Sequence, residues 1–208
     1  MSAFTWPPES STAAGGDRPA ADASLPQGAQ TPAAVLVPLF LSDQQREPCL
    51  VLTRRRADLR RHAGEISFPG GRRDDEDPDL GHTALREAEE EIGLPRSQVT
   101  LLGTLEPVST FATNYIIHPF VGEIPAGVAW RLSAKEVDAV IELPLAAVRA
   151  GRTRTEIERR GIRFETDAYV VDEHLIWGAT ARIIQTLLDQ LGCGTMRMYG
   201  RGSSQPSG

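Results

Sequence analysis

Only two cysteines, Cys49 and Cys193, occur in 208 residues, and they stand far apart. That excludes a disulfide scaffold and points to a reducing, cytoplasmic setting. The four histidines (His62, His82, His118 and His174) are scattered and make no H-x-x-x-H pair, so a structural zinc site is not expected. No stretch of 18 apolar residues exists to span a bilayer, and no apolar h-region marks the N-terminus, so neither a membrane helix nor a secretory leader is expected. Lysine is nearly absent, Lys135 being the single one, and acids outnumber bases to give a formal net charge of -6. A chain of that sign is a poor ligand for a phosphate backbone, and nucleic acid is not an expected partner.

What is present is an ordinary globular composition, 40% hydrophobic and 24% charged. Residues 1–33 are rich in Pro, Ala, Ser and Gly and cannot bury enough apolar surface to offset their ordering entropy, so they are expected to be a disordered tail. Residues 193–208 turn Gly- and Ser-rich and should form a flexible C-terminal tail. One domain is expected between them, over 34–192. Within it, 34–41, 48–54, 64–68, 99–108, 115–124 and 168–172 read as strands, and 154–158 with 161–165 as a hairpin around Arg160-Gly161. Residues 136–145 read as a strand entering a short helix that reaches Ala150. Residues 83–94 and 180–191 carry helical periodicity, the first stopping at Gly93-Leu94-Pro95. Several strands with few helices and no regular alternation predict the α+β class.

The informative helix is 83–94. At 100° per residue, Glu87, Glu90 and Glu91 share an arc of about 100°, while Leu85, Ala88 and Ile92 make a separate apolar stripe. The helix is ill served by this. Like charges at i,i+3 and i,i+4 each cost roughly 0.2–0.5 kcal/mol, and the helix dipole disfavours carboxylates in the C-terminal half. Glu-rich helices commonly present a solvated face, and Glu89, pointing elsewhere, is read that way. The context argues otherwise for the other three. Phe68-Pro69-Gly70-Gly71 ends a strand, a loop bearing Asp74, Asp75, Glu76, Asp77 and Asp79 follows, and the carboxylate helix comes next. Broken local preferences of this kind mark functional sites, and clustered oxygen ligands suit Mg²⁺ or Mn²⁺.

These residues resemble the box of the Nudix hydrolases, G-x5-E-x7-R-E-U-x-E-E-x-G-U with U a bulky apolar residue. Gly71 matches the first glycine, and Arg86-Glu87-Ala88-Glu89-Glu90-Glu91-Ile92-Gly93-Leu94 the second half. Asp77 stands where the box has its first glutamate, one residue farther from the arginine than usual. Upstream, Leu52-Thr53-x-Arg55, Arg60, Gly64 and Phe68-Pro69-Gly70-Gly71 resemble the signature of the coenzyme A pyrophosphatase branch, with Val51 and Arg56 as departures. Ile176-Trp177-Gly178-Ala179-Thr180-Ala181 is similar to that branch's IWGxTA segment, and Thr113-Asn114-Tyr115 through Pro119 to another, with Asn114 in place of a glycine.

The resemblance implies a Nudix fold, a mixed β-sheet sandwiched between helices, and Mg²⁺- or Mn²⁺-dependent cleavage of coenzyme A or its derivatives to 3',5'-ADP and 4'-phosphopantetheine. ADP-ribose, a dinucleotide or a nucleoside triphosphate is the alternative substrate, and a non-catalytic nucleotide-binding domain the alternative role. The expected metal ligands are Glu87, Glu91, Glu90 and the Gly71 carbonyl. Arg86 orients the glutamates, and Glu90 is a candidate to take the proton, with Glu106 and Glu136 as alternatives. Arg55 and Arg60, within five arginines of 54–61, are candidates for the substrate's phosphates, since arginine binds them bidentately. Trp177, His62 and Cys49 read as core, surface and buried apolar residues respectively. The expected partner is a small coenzyme A-like nucleotide, not a membrane; a homodimer is left open.

Overall fold

The computed structural model describes residues 30–44, 46–58, 64–110, 114–159 and 161–193. Strands β1 (Thr31–Leu41) and β2 (Pro48–Arg55) form its centre. Both are near-continuous apolar runs, as strands covered on two faces should be. Their side chains divide by parity: Val37, Leu39, Leu50 and Leu52 enter one hydrophobic cluster, while Leu36, Phe40, Cys49 and Val51 enter another. Helix α1 (Leu80–Ile92) closes the second cluster with Ala84, Ala88 and Ile92. Helix α3 (Gly178–Cys193) closes the first with Ile183, Ile184, Leu187 and Leu188. Helices therefore sandwich the sheet.

The main sheet adds β3 (Ile66–Ser67), β4 (Gly70–Arg72), β5 (Thr100–Thr104), β6 (Val108–Ser109), β7 (Tyr115–Glu123) and β8 (Val137–Pro144). Its path runs β3-β2-β1-β7-β5, with β4 on β1, β6 on β7 and β8 on β2. β1 and β7 are parallel and the remaining pairs antiparallel, so the sheet is mixed. After the short α2 (Leu145–Ala150), β9 (Arg152–Arg159), β10 (Ile162–Val171) and β11 (His174–Trp177) make a second, three-stranded antiparallel sheet. The α+β class and the mixed, helix-flanked sheet are as the sequence implied.

Several elements differ from expectation. Strand 99–108 is broken between β5 and β6, where Pro107 can donate no ladder hydrogen bond. The separate strands at 161–165 and 168–172 are one ten-residue strand, β10. β11 gave no clear periodic signal because it is four residues long. Helix α1 starts at Leu80, not 83, because Asp79 caps it, accepting from the His82 N–H at 2.9 Å. Its end is as read: Gly93 takes a left-handed φ of 68° and donates back to Ala88 and Glu89. Cys49 is buried in β2.

Candidate active site

The site is where β4 passes over α1. Gly70 and Gly71 pair with Val35 and Ala34 of β1, and both glycines are required by close approach. A Cβ on Gly70 would strike the Ala34 carbonyl and Val35; one on Gly71 would overlap the Glu87 carboxylate. The double glycine thus lays strand backbone directly on the helix's acidic face.

That face is graded in depth. Glu91 is 4% exposed. Its Oε2 accepts from the Gly70 N–H at 3.2 Å, and its Oε1 lies 3.6 Å from Arg55 Nη1. Burial dominates its titration and pushes the carboxyl up to about 8, against the opposing pull of the Gly70 N–H and Arg55. Glu87 is also raised by burial, with Arg86 pulling the other way. Glu90 is open to solvent and pairs with Arg86 Nη1 at 3.1 Å. The shared arc read from the sequence is real, but the three carboxylates are unequal in solvation. Glu89 lies apart, paired with Arg96 on the surface.

Arg86 organises the cluster. Its Nη1 reaches Glu87 at 3.0 Å and Glu90 at 3.1 Å. Its Nη2 donates to Asp77 Oδ2 at 3.0 Å and to the Arg72 carbonyl at 3.2 Å, and its Nε to Asp77 Oδ1 at 3.1 Å. Asp77, buried, also accepts from the Thr83 hydroxyl at 2.9 Å and from the Asp74 N–H at 3.0 Å. Arg86 and those donors hold the Asp77 carboxyl well below the usual range, outweighing its burial. Spacing along the chain assigns this residue no role. Its signal was present, however: an acid six residues after Gly71, beside the box.

A second approach comes from residues 131–136. The Arg131 N–H donates to the Ile92 carbonyl at 3.0 Å and the Ser133 N–H to the Glu91 carbonyl at 2.8 Å, while the Arg56 N–H donates to the Glu136 carbonyl at 3.0 Å. These bonds tie the loop to the last turn of α1 and the end of β2. The charge of Glu136 accordingly raises both Glu87 and Glu91.

The arginine run divides. Arg54 pairs with Asp138 at 3.0 Å and Arg56 with Asp58 at 2.7 Å, both on the surface. Arg55 turns to Glu91, and its Nε is buried without a hydrogen-bond partner among the described residues. Arg60, His62 and Thr113 lie outside the described residues. Trp177 packs by its ring against Phe164, centroids 6.3 Å apart.

Among the described residues, no group of three or more His, Cys, Asp or Glu side chains is gathered closely enough to hold a metal ion by itself. The donor set nevertheless fits a hard divalent ion. Glu87 and Glu91 are partly desolvated, and the charge of Glu136 further disfavours the ionised form of both, a balance that a cation reverses.

The NUDIX domain family matches residues 30–162. The chain belongs to the Nudix hydrolase family. It is 43% identical over 162 residues to a protein of Escherichia coli O1:K1 called "Uncharacterized Nudix hydrolase NudL", covering 77% of this chain and 82% of that one. A protein of the same description in Cronobacter sakazakii is 44% identical over 165 residues, covering 78% and 84%. A MutT/nudix family protein from Enterococcus faecalis shares the fold, with a TM-score of 0.52 at 13% identity over 81% of this chain and 65% of that one. As a Nudix hydrolase the chain is an enzyme of diphosphate bonds in small nucleotide-derived substrates, and enzymes of this family use divalent metal ions. The non-catalytic alternative is thereby set aside. Among the described residues no helix is long and apolar enough to cross a membrane.

Proposed function

We propose that this Nudix hydrolase cleaves the diphosphate of coenzyme A or a derivative, in the cytoplasm, giving 3',5'-ADP and 4'-phosphopantetheine. The observation that carries the reading is Arg55. It is the signature arginine of the coenzyme A branch, and it turns into the carboxylate site with an unsatisfied Nε while Arg54 and Arg56 are paired on the surface. A guanidinium N–H with no acceptor among the described residues suits an anionic oxygen of a substrate. Of the two departures from the branch pattern that keep another substrate open, Arg56 and Asn114, the second has a conformational cause. Its φ is 56°, a left-handed backbone that glycine and asparagine both supply. Arg56 is taken up by Asp58 and by the Ala134 carbonyl. Neither departure argues for a different substrate.

In this reading Glu87, Glu91, Glu90 and the Gly71 carbonyl hold Mg²⁺ or Mn²⁺, which supplies charge neutralisation at the diphosphate and acidifies a water. Arg86, anchored by Asp77, fixes Glu87 and Glu90 in orientation. Arg55, joined by Arg60, draws the substrate's phosphates to the cluster. Water oxygen adds to one phosphorus, the bridging P–O bond breaks, and the water proton passes to a carboxylate. Glu136 suits that step better than Glu90, which is engaged by Arg86, or Glu106.

The test is a parallel hydrolysis assay with coenzyme A, 3'-dephospho-coenzyme A and ADP-ribose in Mg²⁺ or Mn²⁺. Coenzyme A should be turned over with the highest kcat/KM, and Arg55→Ala should reduce that value mainly through KM. A preference for ADP-ribose would overturn the substrate assignment while leaving the diphosphatase chemistry intact.

A further inference from the structure

The second sheet ends in an open edge. Its order is β11-β10-β9, and among the described residues β9 pairs with β10 alone. Unpaired strand edges are templates for another chain unless something opposes pairing. The charges on β9 are arranged to favour one particular pairing. On one face, at every second position, stand Arg152, Arg154, Glu156 and Glu158. Two bases followed by two acids form a pattern that complements itself when read antiparallel.

The backbone agrees. The Gly151 carbonyl accepts from the Val170 N–H at 2.8 Å, and the β9/β10 register then continues without a bulge. Alternation from that bond turns the amides of Thr153, Thr155 and Ile157 toward β10. It turns those of Arg152, Arg154, Glu156 and Glu158 toward the open edge. The same four residues thus present both the outward hydrogen-bonding groups and the self-complementary charges.

We propose that two copies of this chain associate edge to edge through β9, about a two-fold axis at Thr155. This register sets Arg154 against Glu156 of the second copy and Arg152 against Glu158 of the second copy, each pair occurring twice. Shifting the axis to Arg154 or to Glu156 would set like charges face to face, so the charge pattern selects one register. The opposite face follows, with Ile157 meeting Thr153 of the second copy and extending the apolar surface that holds Phe164, 39% exposed in the single chain.

A feature of the isolated chain supports the same pairing. Glu156 and Glu165 are directly opposed across β9 and β10, a like-charge pair that destabilises a sheet. Within the chain these charges are met only by exposed partners: Arg154 lies 3.5 Å from Glu165, and Arg163 lies 3.7 Å from Glu156 and 3.0 Å from Glu158. Arg154 of the second copy would arrive beside Glu156 in the same row and set a base between Glu156 and the second copy's Asp167, which faces that arginine across its own β9 and β10. The pairing holds whatever diphosphate the active site cleaves, since β9 supplies none of its residues.

Analytical ultracentrifugation of the full chain over a range of concentrations tests this, with Arg154→Glu, Glu156→Arg and the double exchange as variants. Wild type should sediment as a concentration-dependent dimer that weakens with added salt. By symmetry each single reversal turns two attractive pairs repulsive and should raise the dimer dissociation constant at least about tenfold. The double exchange restores opposite charges in the same register and should recover most of the loss. Unchanged thermal melting of the single variants' secondary structure would show that they remain folded. A wild type that is monomeric throughout, a dimer indifferent to both reversals, or a double exchange no better than the singles would each overturn the proposal.

Discussion

Arg86 and Asp77 meet in a two-pronged ion pair, Nε to Oδ1 at 3.1 Å and Nη2 to Oδ2 at 3.0 Å, and the same guanidinium then reaches Glu87 and Glu90. The arginine is thereby pinned from behind by a buried acid while it aims at the catalytic face. Removing the acid takes away the buried partner of the guanidinium and leaves it Glu87 and Glu90, a loss of about 1–3 kcal/mol for charge-assisted hydrogen bonds. Asp77→Ala should lose that much in urea unfolding and should lower kcat with little change in KM. Asp77→Asn, which keeps the shape, should lose less.

The same pair gives the folded state an acid limit. Arg86, foremost among its partners, holds the Asp77 carboxyl below its ordinary value. A depressed carboxyl contributes stability that is fully present above its unfolded pKa of about 4 and is lost as pH falls below that value. Wild type should therefore lose stability between about pH 4 and 2 more steeply than Asp77→Asn, as read by denaturant midpoints along a pH series.

Glu91 has the opposite sign. Burial raises its carboxyl to about 8, so the metal-free folded state binds a proton more tightly than the unfolded chain does. Its contribution is present below pH about 4.5 and declines as pH rises toward 8. Glu91→Gln should then stabilise the metal-free protein at pH 8, by on the order of 1–3 kcal/mol. It should also reduce turnover by more than about a hundredfold. Added Mg²⁺ should raise the Tm of wild type at that pH and raise that of the variant much less. A wild type less stable than its inactive variant only when metal is absent would separate a ligand role from a packing role.

Much of this was legible in the chain itself. Parity of the apolar runs in β1 and β2 and the 3.6-residue period of α1 carry the layering, because both follow from one buried face per element. The acidic arc at Glu87, Glu90 and Glu91 was equally plain, since helical spacing fixes it. What spacing does not fix is depth: Glu91 is buried and Glu90 open because β4 crosses over one side of the arc only. Asp77 and Glu136 were obscure for a related reason. Both reach the site from loops whose paths depend on backbone hydrogen bonds to distant elements, the 131–136 loop on α1 being the clearest case. The union of 161–165 with 168–172 was hidden by Thr166-Asp167, polar residues placed mid-strand where β10 leaves the core.

Gly71 tests the close approach of strand and helix. A methyl group there would overlap the Glu87 carboxylate, and Glu87 is itself held by Arg86, so the side chain can escape only by breaking that pair. Gly71→Ala should cost about 1–3 kcal/mol of stability, as overpacking does. Its larger effect should be on kcat and on the Mg²⁺ concentration needed for half-maximal rate, measured by metal titration of activity.

Glu136 and Glu90 can be separated by their dependence on pH. The 131–136 loop is anchored to α1 by the Ser133 and Arg131 amides, so Glu136 keeps its place without contributing to the core. Its substitution should therefore report on chemistry and not on folding. If Glu136 accepts the water proton, Glu136→Gln lowers kcat by roughly 10²–10⁴-fold and removes the fall in rate on the acid side of the profile, with Tm nearly unchanged. Glu90→Gln, by contrast, should lower the rate less and keep the acid limb, because its work is shared with Glu87 through Arg86. Retention of the acid limb in Glu136→Gln together with its loss in Glu90→Gln would transfer the proton-accepting role to the helix.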